Sequence, residues 1–291
     1  MNLDTACFKA FQCAAEVLNF TEAARLAGMT QSGVSQHISK LEAELGDELF
    51  YRVGKKVILT DSGKKLLEFI EKYNDAIQGL SESIQGGKEA LTGKVRYAMP
   101  ESCLLSPHFS ILLKEKHSKF SSIQLEVDLC ASDAVIENVL SNTVDFGFVT
   151  KKTPNENLIY TEFCDEEYVL TSSKNENVSQ RDLHDHQWVH YPGHEVLLEK
   201  WSSHHKIKNE DAFSFHGKTN SMHAALTMVA HGLGIAIFPS HCVETSDLKA
   251  KLRTHSIDSK KCKNTIYIVT LNSKSHPKRV QKVVETFLRM K

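Results

Sequence analysis

Four short polar side chains, Ser32, Ser35, Gln36 and Ser39, fall together in the stretch TQSGVSQHISKLEAELG. Wound as a helix, this stretch gathers Val34, Ile38, Leu41 and Leu45 within about 60° of one another, a dry face opposite the polar one. Serine and glutamine are uncharged and both donate and accept hydrogen bonds, and a glutamine can meet adenine with two bonds at once. An ordinary solvent face would mix Glu with Lys, as this stretch does later at Glu42 and Glu44. Gly33 allows a close backbone approach, and Gln31 and Lys40 flank the group. The set Gln31, Ser32, Ser35, Gln36, Ser39 and Lys40 is suited to reading bases in double-stranded DNA. The competing reading is a plain surface helix, and the flanking sequence decides between them.

A base-reading helix needs cations nearby to hold phosphates. Arg52, Lys55, Lys56, Lys64 and Lys65 supply a cluster opposed only by Asp61. Residues 1–92 nonetheless contain ten Lys and Arg against thirteen Asp and Glu. The grip is therefore local, and sequence-independent affinity is expected to be modest.

Other reactive side chains form weaker patterns. His184, His186, His190, His194, His204 and His205 crowd one stretch, but Pro192-Gly193 interrupts the helical spacing and no cysteine joins them, so no metal site is expected. HEVLL at 194 lacks the second histidine of a metalloprotease motif, and no G-x-S-x-G occurs. Neither enzymatic activity nor a cofactor is expected. The seven cysteines are scattered without C-x-x-C, which fits a reducing compartment. Cys103 is a redox candidate if a helix start lowers its pKa, and a buried inert thiol otherwise.

Three helices precede the wing that carries the cations. Phe8, Phe11, Ala15 and Leu18 mark an amphipathic first helix. The second is short, with Thr21 as its expected N-cap and Gly28 as its stop; Thr30 caps the third. Helix, Gly-containing turn and helix make a helix-turn-helix. ELFYRVGKKVILT follows as two short extended pieces, a hairpin or wing around residues 53–55. Thr60-Asp61 then opens a long helix to about residue 85. Its apolar positions Leu66, Ile70, Tyr73, Ile77, Leu80 and Ile84 are spaced 4, 3, 4, 3, 4, the heptad seam of a helix that pairs with a partner helix, most simply in a homodimer. A core helix within one domain is the alternative.

From residue 93 strand-like and helix-like segments alternate: KVRYAM, a helix over 103–117, IQLEVDLC, a helix over 133–141, VDFGFVT, EEYVLTS, WVHY, a helix over 194–206, FSFHG, a helix over 220–232, GIAIF, NTIYIVTL and a helix over 277–290. This texture implies an α/β domain with a parallel or mixed sheet. In such sheets ligands bind beyond the carboxyl ends of strands, near helix starts. Glu101-Ser102, Ala131-Ser132 and Asn220-Ser221 occupy three such ends, although Ser and Asn also serve there as simple caps.

The 291 residues allow two or three domains, and 41% hydrophobic with 24% charged residues is ordinary globular composition. The net charge of −1 says nothing for nucleic acid by itself. No apolar run approaches the ~20 residues of a membrane span. MNLDTACFKAF lacks the basic-then-apolar pattern of a signal peptide, so a cytoplasmic location is expected.

FTEAARLAGMTQSGVSQHISKLEAELGDELFYR, followed by KKVILTDSGKKLL, resembles the winged helix-turn-helix of the LysR-type transcriptional regulators. VDFGFV and MVAHGLGIAIFP carry a weaker resemblance onward to the end. The resemblance implies a bacterial, sequence-specific DNA-binding regulator made of a head (1–60), a linker and dimerisation helix (61–92) and an effector domain (93–291) of periplasmic-binding-protein fold. The effector domain would split into subdomain I (93–161 with 268–291) and subdomain II (162–267), the chain crossing near Glu162 and Thr265. It further implies a homodimer and often a homotetramer, RNA polymerase as a partner, and a backbone or minor-groove contact for Arg52. A small-molecule effector would touch Ser102, Ser132, Thr150, Thr219, Asn220 and Ser221. Glu101 departs from the family, which has a small or hydroxyl residue there. It either sets the site against anions and for an amino-bearing ligand, or points into solvent. A solute receptor without DNA function is the rival class, and it leaves residues 1–92 without a purpose.

Overall fold

The computed structural model describes residues 4–53, 56–84, 91–207, 213–258, 260–272 and 276–289, with backbone alone at Arg52, Val53, Lys56 and several positions late in the linker helix. The chain divides into two compact units, Met1–Gly87 and Lys88–Lys291.

The first unit begins with α1 (Thr5–Val17), α2 (Phe20–Ala27) and α3 (Gln31–Leu45), followed by a hairpin of β1 (Phe50–Val53) and β2 (Lys56–Leu59) and by α4 (Asp61–Ile84). Phe8, Phe11 and Ala15 are buried as their spacing requires, but Leu18 is exposed, because it forms the left-handed C-cap of α1. Asn19, not Thr21, caps α2; its side chain accepts from the Thr21 and Glu22 amides. Gly28 ends α2 at φ 70°, and Thr30 caps α3 by accepting from the Gly33 amide. Val34, Ile38 and Leu41 enter the core with α1, whereas Leu45 lies past its reach in the last turn and is exposed. Thr60 holds the start of α4, accepting from the Gly63 amide at 2.9 Å while donating to the Glu48 carbonyl at 2.7 Å.

The second unit is a mixed α/β fold. Its strands are β3 (Gly93–Met99), β4 (Ile123–Leu129), β5 (Phe146–Val149), β6 (Leu158–Ser173), β7 (Gln187–His190), β8 (Ser214–Lys218), β9 (Ala236–Pro239), β10 (Leu252–His255) and β11 (Cys262–Leu271). Its helices are α5 (Glu101–Leu104), α6 (Pro107–Lys119), α7 (Ser132–Leu140), α8 (His194–His205), α9 (Met222–Ala230), α10 (Ser240–Thr245) and α11 (Lys278–Leu288). The helix expected over 103–117 is two helices, because Ser106 caps a fresh start with Pro107 in its first turn.

Seven strands share one sheet in the order β10-β6-β11-β5-β3-β4, with β9 also on β6. β3 runs parallel to β4 and β5; the pairs involving β6 and β11 are antiparallel. β6 and β11 are long enough to serve two cores. Phe163 on β6 and Ile266 on β11 belong to one core, packed with Tyr97, Phe146 and Phe287. Tyr168 on β6 and Cys262 on β11 belong to another, packed with Trp188, Trp201 and Phe238. The expected crossings at Glu162 and Thr265 lie on these two strands. A register shift at Ile266/Tyr267 leaves Phe163 without a partner across the ladder, so the pairing is irregular where the cores part.

Candidate functional site

In the first unit, α3 shows its polar face as a set. Gln31, Ser32, Gln36, Ser39 and Lys40 are exposed and Ser35 is half-buried. The group is partly ordered already: Gln31 Nε2 donates to Ser35 Oγ at 3.3 Å, and the Ser32 and Thr30 hydroxyls lie 3.1 Å apart. Gln36 and Ser39 have hydrogen-bonding capacity to spare at the surface. His37, on the inner edge, contacts Cys7 Sγ through Nδ1 at 3.3 Å. Of the cationic cluster, Lys64 pairs with Asp61 at 2.9 Å and Lys65 is exposed. The side chains of Arg52 and Lys56, and Lys55 altogether, lie outside the described residues.

The seam on α4 requires correction. Leu66 and Ile70 are buried in the core of their own unit, and Tyr73 packs against Phe8 at 5.6 Å between ring centroids. They face α1, which lies alongside the first half of α4. Ile77 and Leu80 are 48% and 60% exposed, and Phe69 is 49% exposed. The apolar stripe available to a partner helix is therefore Phe69, Ile77 and Leu80 rather than the full set. The Ile84 side chain lies outside the described residues.

In the second unit a cavity of about 760 Å³ opens where strand ends and helix starts of both cores meet. Glu101, Ser102, Ser132, Thr150, Asn220 and Ser221 all line it. Thr219 does not; its hydroxyl accepts from the Ser221 amide at 3.2 Å and shapes the turn into α9. Ser132 at the start of α7 receives the Thr150 amide at 3.1 Å, which ties the ends of α7 and β5 together. Asn220 is exposed at the rim.

Hydrogen bonds cross this cleft. Glu101 Oε1 accepts from Ser221 Oγ at 3.0 Å and the His223 amide at 3.2 Å, and Oε2 accepts from the Met222 amide at 2.6 Å. Glu101 thus does not reach out to solvent; at the cavity wall it caps α9 from the other side. A carboxylate on helix-start amides is worth about 0.3–2 kcal/mol. Lys200 of α8 donates to the Thr150 carbonyl at 3.3 Å and to Asn264 Oδ1, while Asn264 Nδ2 donates to the same carbonyl at 2.9 Å. His241 Nε2 lies 2.9 Å from the Ser102 carbonyl, which fixes that nitrogen as the protonated one. Burial holds His241 below its ordinary pKa.

Sequence reasoning missed Glu166. It sits in the cavity wall at 5% exposure, its Oε2 without a hydrogen-bond partner among the described residues and its Oε1 3.9 Å from His241. Burial pushes its carboxyl up to about 7. The only signal in the sequence is an acid inside a run that alternates as a strand. Of the two readings of Cys103, the structure supports the buried, inert thiol: burial, reinforced by Glu166, raises its pKa well above the ordinary value. Of the crowded histidines, His186 pairs with Glu176, His190 with Glu195 and His205 with Asp258, while His194 is buried and held down to about 3. Among the described residues no three such groups converge as metal ligands, and no helix is long and apolar enough to cross a membrane.

Comparison with known proteins agrees with both units. Residues 7–64 match the family model for the bacterial regulatory helix-turn-helix protein, lysR family, and residues 88–290 match the LysR substrate binding domain. The chain is 29% identical over 262 residues to the uncharacterized HTH-type transcriptional regulator YxjO of Bacillus subtilis, spanning 86% of this chain and 85% of that one. It is 25% identical over 264 residues to the HTH-type transcriptional regulator CzcR of the same species, covering 89% and 88%. In fold it resembles full-length CbnR complexed with its target DNA, at TM-score 0.71, 16% identity and 99% coverage of each chain. It also resembles ArgP from Mycobacterium tuberculosis, at TM-score 0.64, 14% identity, and coverage of 99% and 97%. The chain belongs to the LysR family: it is a LysR-type transcriptional regulator, with a helix-turn-helix DNA-binding domain and a substrate-binding domain.

Proposed function

We propose that this regulator reads its operator through Ser32, Ser35, Gln36 and Ser39 and is controlled by a small molecule bound in the 760 Å³ cavity. The observation that carries the DNA half is the exposed, uncharged polar face of α3, backed by Val34, Ile38 and Leu41 in the core. An α-helix fits the major groove, where serine and glutamine meet base edges. Gln31 and Lys40 extend the footprint, and Arg52, Lys55 and Lys56 of the wing hold phosphate or enter the minor groove. The working division is a head over 1–60, a linker helix over 61–92 and an effector domain over 93–291.

The effector half rests on the bonds that cross the cleft. A ligand can bias transcription only by binding two arrangements unequally. A molecule touching Ser102 on one side and Asn220 on the other stabilises the closed arrangement at the expense of an open one. Phe69, Ile77 and Leu80 support self-association along α4 into a homodimer, and two dimers into a tetramer. Double-stranded DNA and RNA polymerase are the macromolecular partners, the chain acts in the cytoplasm, and no catalytic role is assigned.

The test is a gel shift with DNA upstream of the chain's own coding region, run beside random DNA at several salt concentrations. Retention of the upstream fragment over random DNA, lost in Gln36→Ala, is the expected result. Equal binding to both fragments by the native chain would exclude sequence reading at α3.

A further inference from the structure

Among the described residues four carboxylates and one lysine line the cavity: Glu101, Asp133, Glu166 and Glu195 against Lys151. Three of the four are already engaged. Asp133 pairs with Lys151 at 3.5 Å, Glu195 with His190 at 2.6 Å, and Glu101 with the start of α9. Glu166 is the exception. The cationic candidate facing it, His241, stands at 3.9 Å with Nε2 directed to the Ser102 carbonyl at 2.9 Å.

Helix starts are the ordinary seats for an anion, since their amides point outward and the helix dipole favours negative charge. Among the described residues three helices of nine or more residues start at this cavity, α7, α8 and α9, and the first turn of α8 carries Glu195, paired with His190. At α9 the seat is filled from within, because Glu101 already takes the Met222 and His223 amides and the Ser221 hydroxyl. At α7 the first turn carries Asp133, and the Ser132 hydroxyl is occupied by Thr150. An acidic ligand would have to displace Glu101 from the α9 amides or settle among carboxylates that already hold partners, Asp133 on Lys151 and Glu195 on His190. A ligand carrying an amine meets the opposite situation. Rotation about the last torsion of Glu166, which is soft for a carboxyl group, presents an oxygen that has no partner of its own.

We infer that the cavity takes a small molecule bearing an amine or similar cationic group, with Glu166 as its counter-charge and Glu101 as the residue that bars a carboxylate from α9. This rests on the reading of the cavity as the effector site. It assigns Glu101 a second role beyond capping: it is the selective element of the pocket, placed where an acidic effector would otherwise anchor.

Matched probes of equal shape and opposite charge test it on the full chain: cyclohexylamine against cyclohexanecarboxylate, and putrescine against succinate, followed by thermal denaturation and titration calorimetry. The amines should raise the melting temperature of the native chain and the acids should not. Glu166→Gln, similar in size and uncharged, should bind the amines about tenfold more weakly or worse. Glu101→Gln should gain a response to the acids. Acids stabilising the native chain as well as amines do, amines acting equally on Glu166→Gln, or no response to either amine would each overturn the assignment. Ala131→Trp, which fills the cavity, separates the two levels of the argument. Acid binding that disappears in Ala131→Trp overturns only the charge assignment. Binding of either class that survives in it lies outside the cavity and removes the effector-site reading as well.

Discussion

Glu101 Oε2 accepts a hydrogen bond from the Met222 amide at 2.6 Å, although 121 residues of sequence separate them. Glu101 stands at the start of α5, beside the core of Tyr97 and Phe146, and Met222 belongs to the core of Trp188 and Trp201. One side chain therefore does the work of an N-cap for α9 and of a strap across the cleft. Ser221, the residue in the N-cap position, bonds the Ala224 amide at only 3.4 Å, so the stronger cap is the distant one.

Replacing Glu101 by alanine should therefore cost about 1–2 kcal/mol of stability, the range for losing a charged cap. Equilibrium urea unfolding of the full chain, followed in the second unit by Trp188 and Trp201 fluorescence, measures it. A change below a few tenths of a kcal/mol would mean the bond contributes nothing in solution.

That contact also shows where sequence reading stops. Strand ends, helix starts and the polar face of α3 follow from spacing and turn chemistry, because those signals act over a few residues. Glu101 was recognisable as unusual, but its partner depends on how two cores meet. EEYVLTS signals β6 only from Glu166 onward, because TEFCD ahead of it does not alternate as a strand does. Its exposed Thr161, Glu162 and Asp165 alternate irregularly with buried Phe163 and Glu166, as expected of a strand passing between cores. The seam on α4 was legible as a period but not as a direction. A 3.5-residue stripe serves a neighbouring helix of the same chain as well as one from another copy.

The direction can be tested by two substitutions on one helix. Ile70 is fully buried beneath α1, so Ile70→Ala should destabilise the first unit by about 2–5 kcal/mol. Ile77 is 48% exposed, so Ile77→Glu should leave the unit folded and weaken self-association. Circular dichroism melts and sedimentation velocity of both variants distinguish these outcomes. Unfolding by Ile77→Glu would place that residue in the core, and unchanged mass would remove it from the interface.

Gln36→Ala should weaken operator binding by roughly 1–3 kcal/mol and leave binding to random DNA nearly unchanged, the signature of a base contact rather than a phosphate contact. Gln36 is exposed on α3 and holds no core position, so the variant should melt at the native temperature. Titrations of both DNAs at one salt concentration suffice. Equal losses on the two would assign Gln36 to the backbone.

Gly234 precedes β9 at φ 154°, and a Cβ there would stand 2.4 Å from the Gln187 carbonyl oxygen. Both the backbone angle and the close approach require glycine. The Ile235 amide bonds that same carbonyl at 2.8 Å, so the collision would push apart the edge where β7 meets β9. Gly234→Ala should destabilise the second unit by more than the ~1 kcal/mol typical of a point change, without touching the head. Chemical denaturation followed by tryptophan fluorescence measures this, since both tryptophans lie in that core. A native-like midpoint would mean that the turn relaxes freely.

Glu166 gives the fold a pH dependence whose sign is fixed by burial. Its carboxyl stands at about 7, above the ordinary 4.5, so folding takes up a proton between those values. Its contribution favours the fold at low pH and is lost as pH rises from about 4.5 to about 7. His194 works the other way: burial holds it near 3, so folding sheds a proton and stability is lost as pH falls below the ordinary 6.5. The two oppose each other between pH 4.5 and 6.5 in the native chain. Comparing native protein with Glu166→Gln cancels His194, while Cys103 and Tyr168, both raised by burial and by Glu166, titrate above the range compared. At 1.36 kcal/mol for each pKa unit, the native chain should lose up to about 3 kcal/mol relative to the variant between pH 4.5 and 8. Urea unfolding of both proteins across that range measures the difference. A difference that stays flat with pH would show Glu166 titrating as it does in water, and the carboxyl would then be hydrated rather than held dry in the cavity wall.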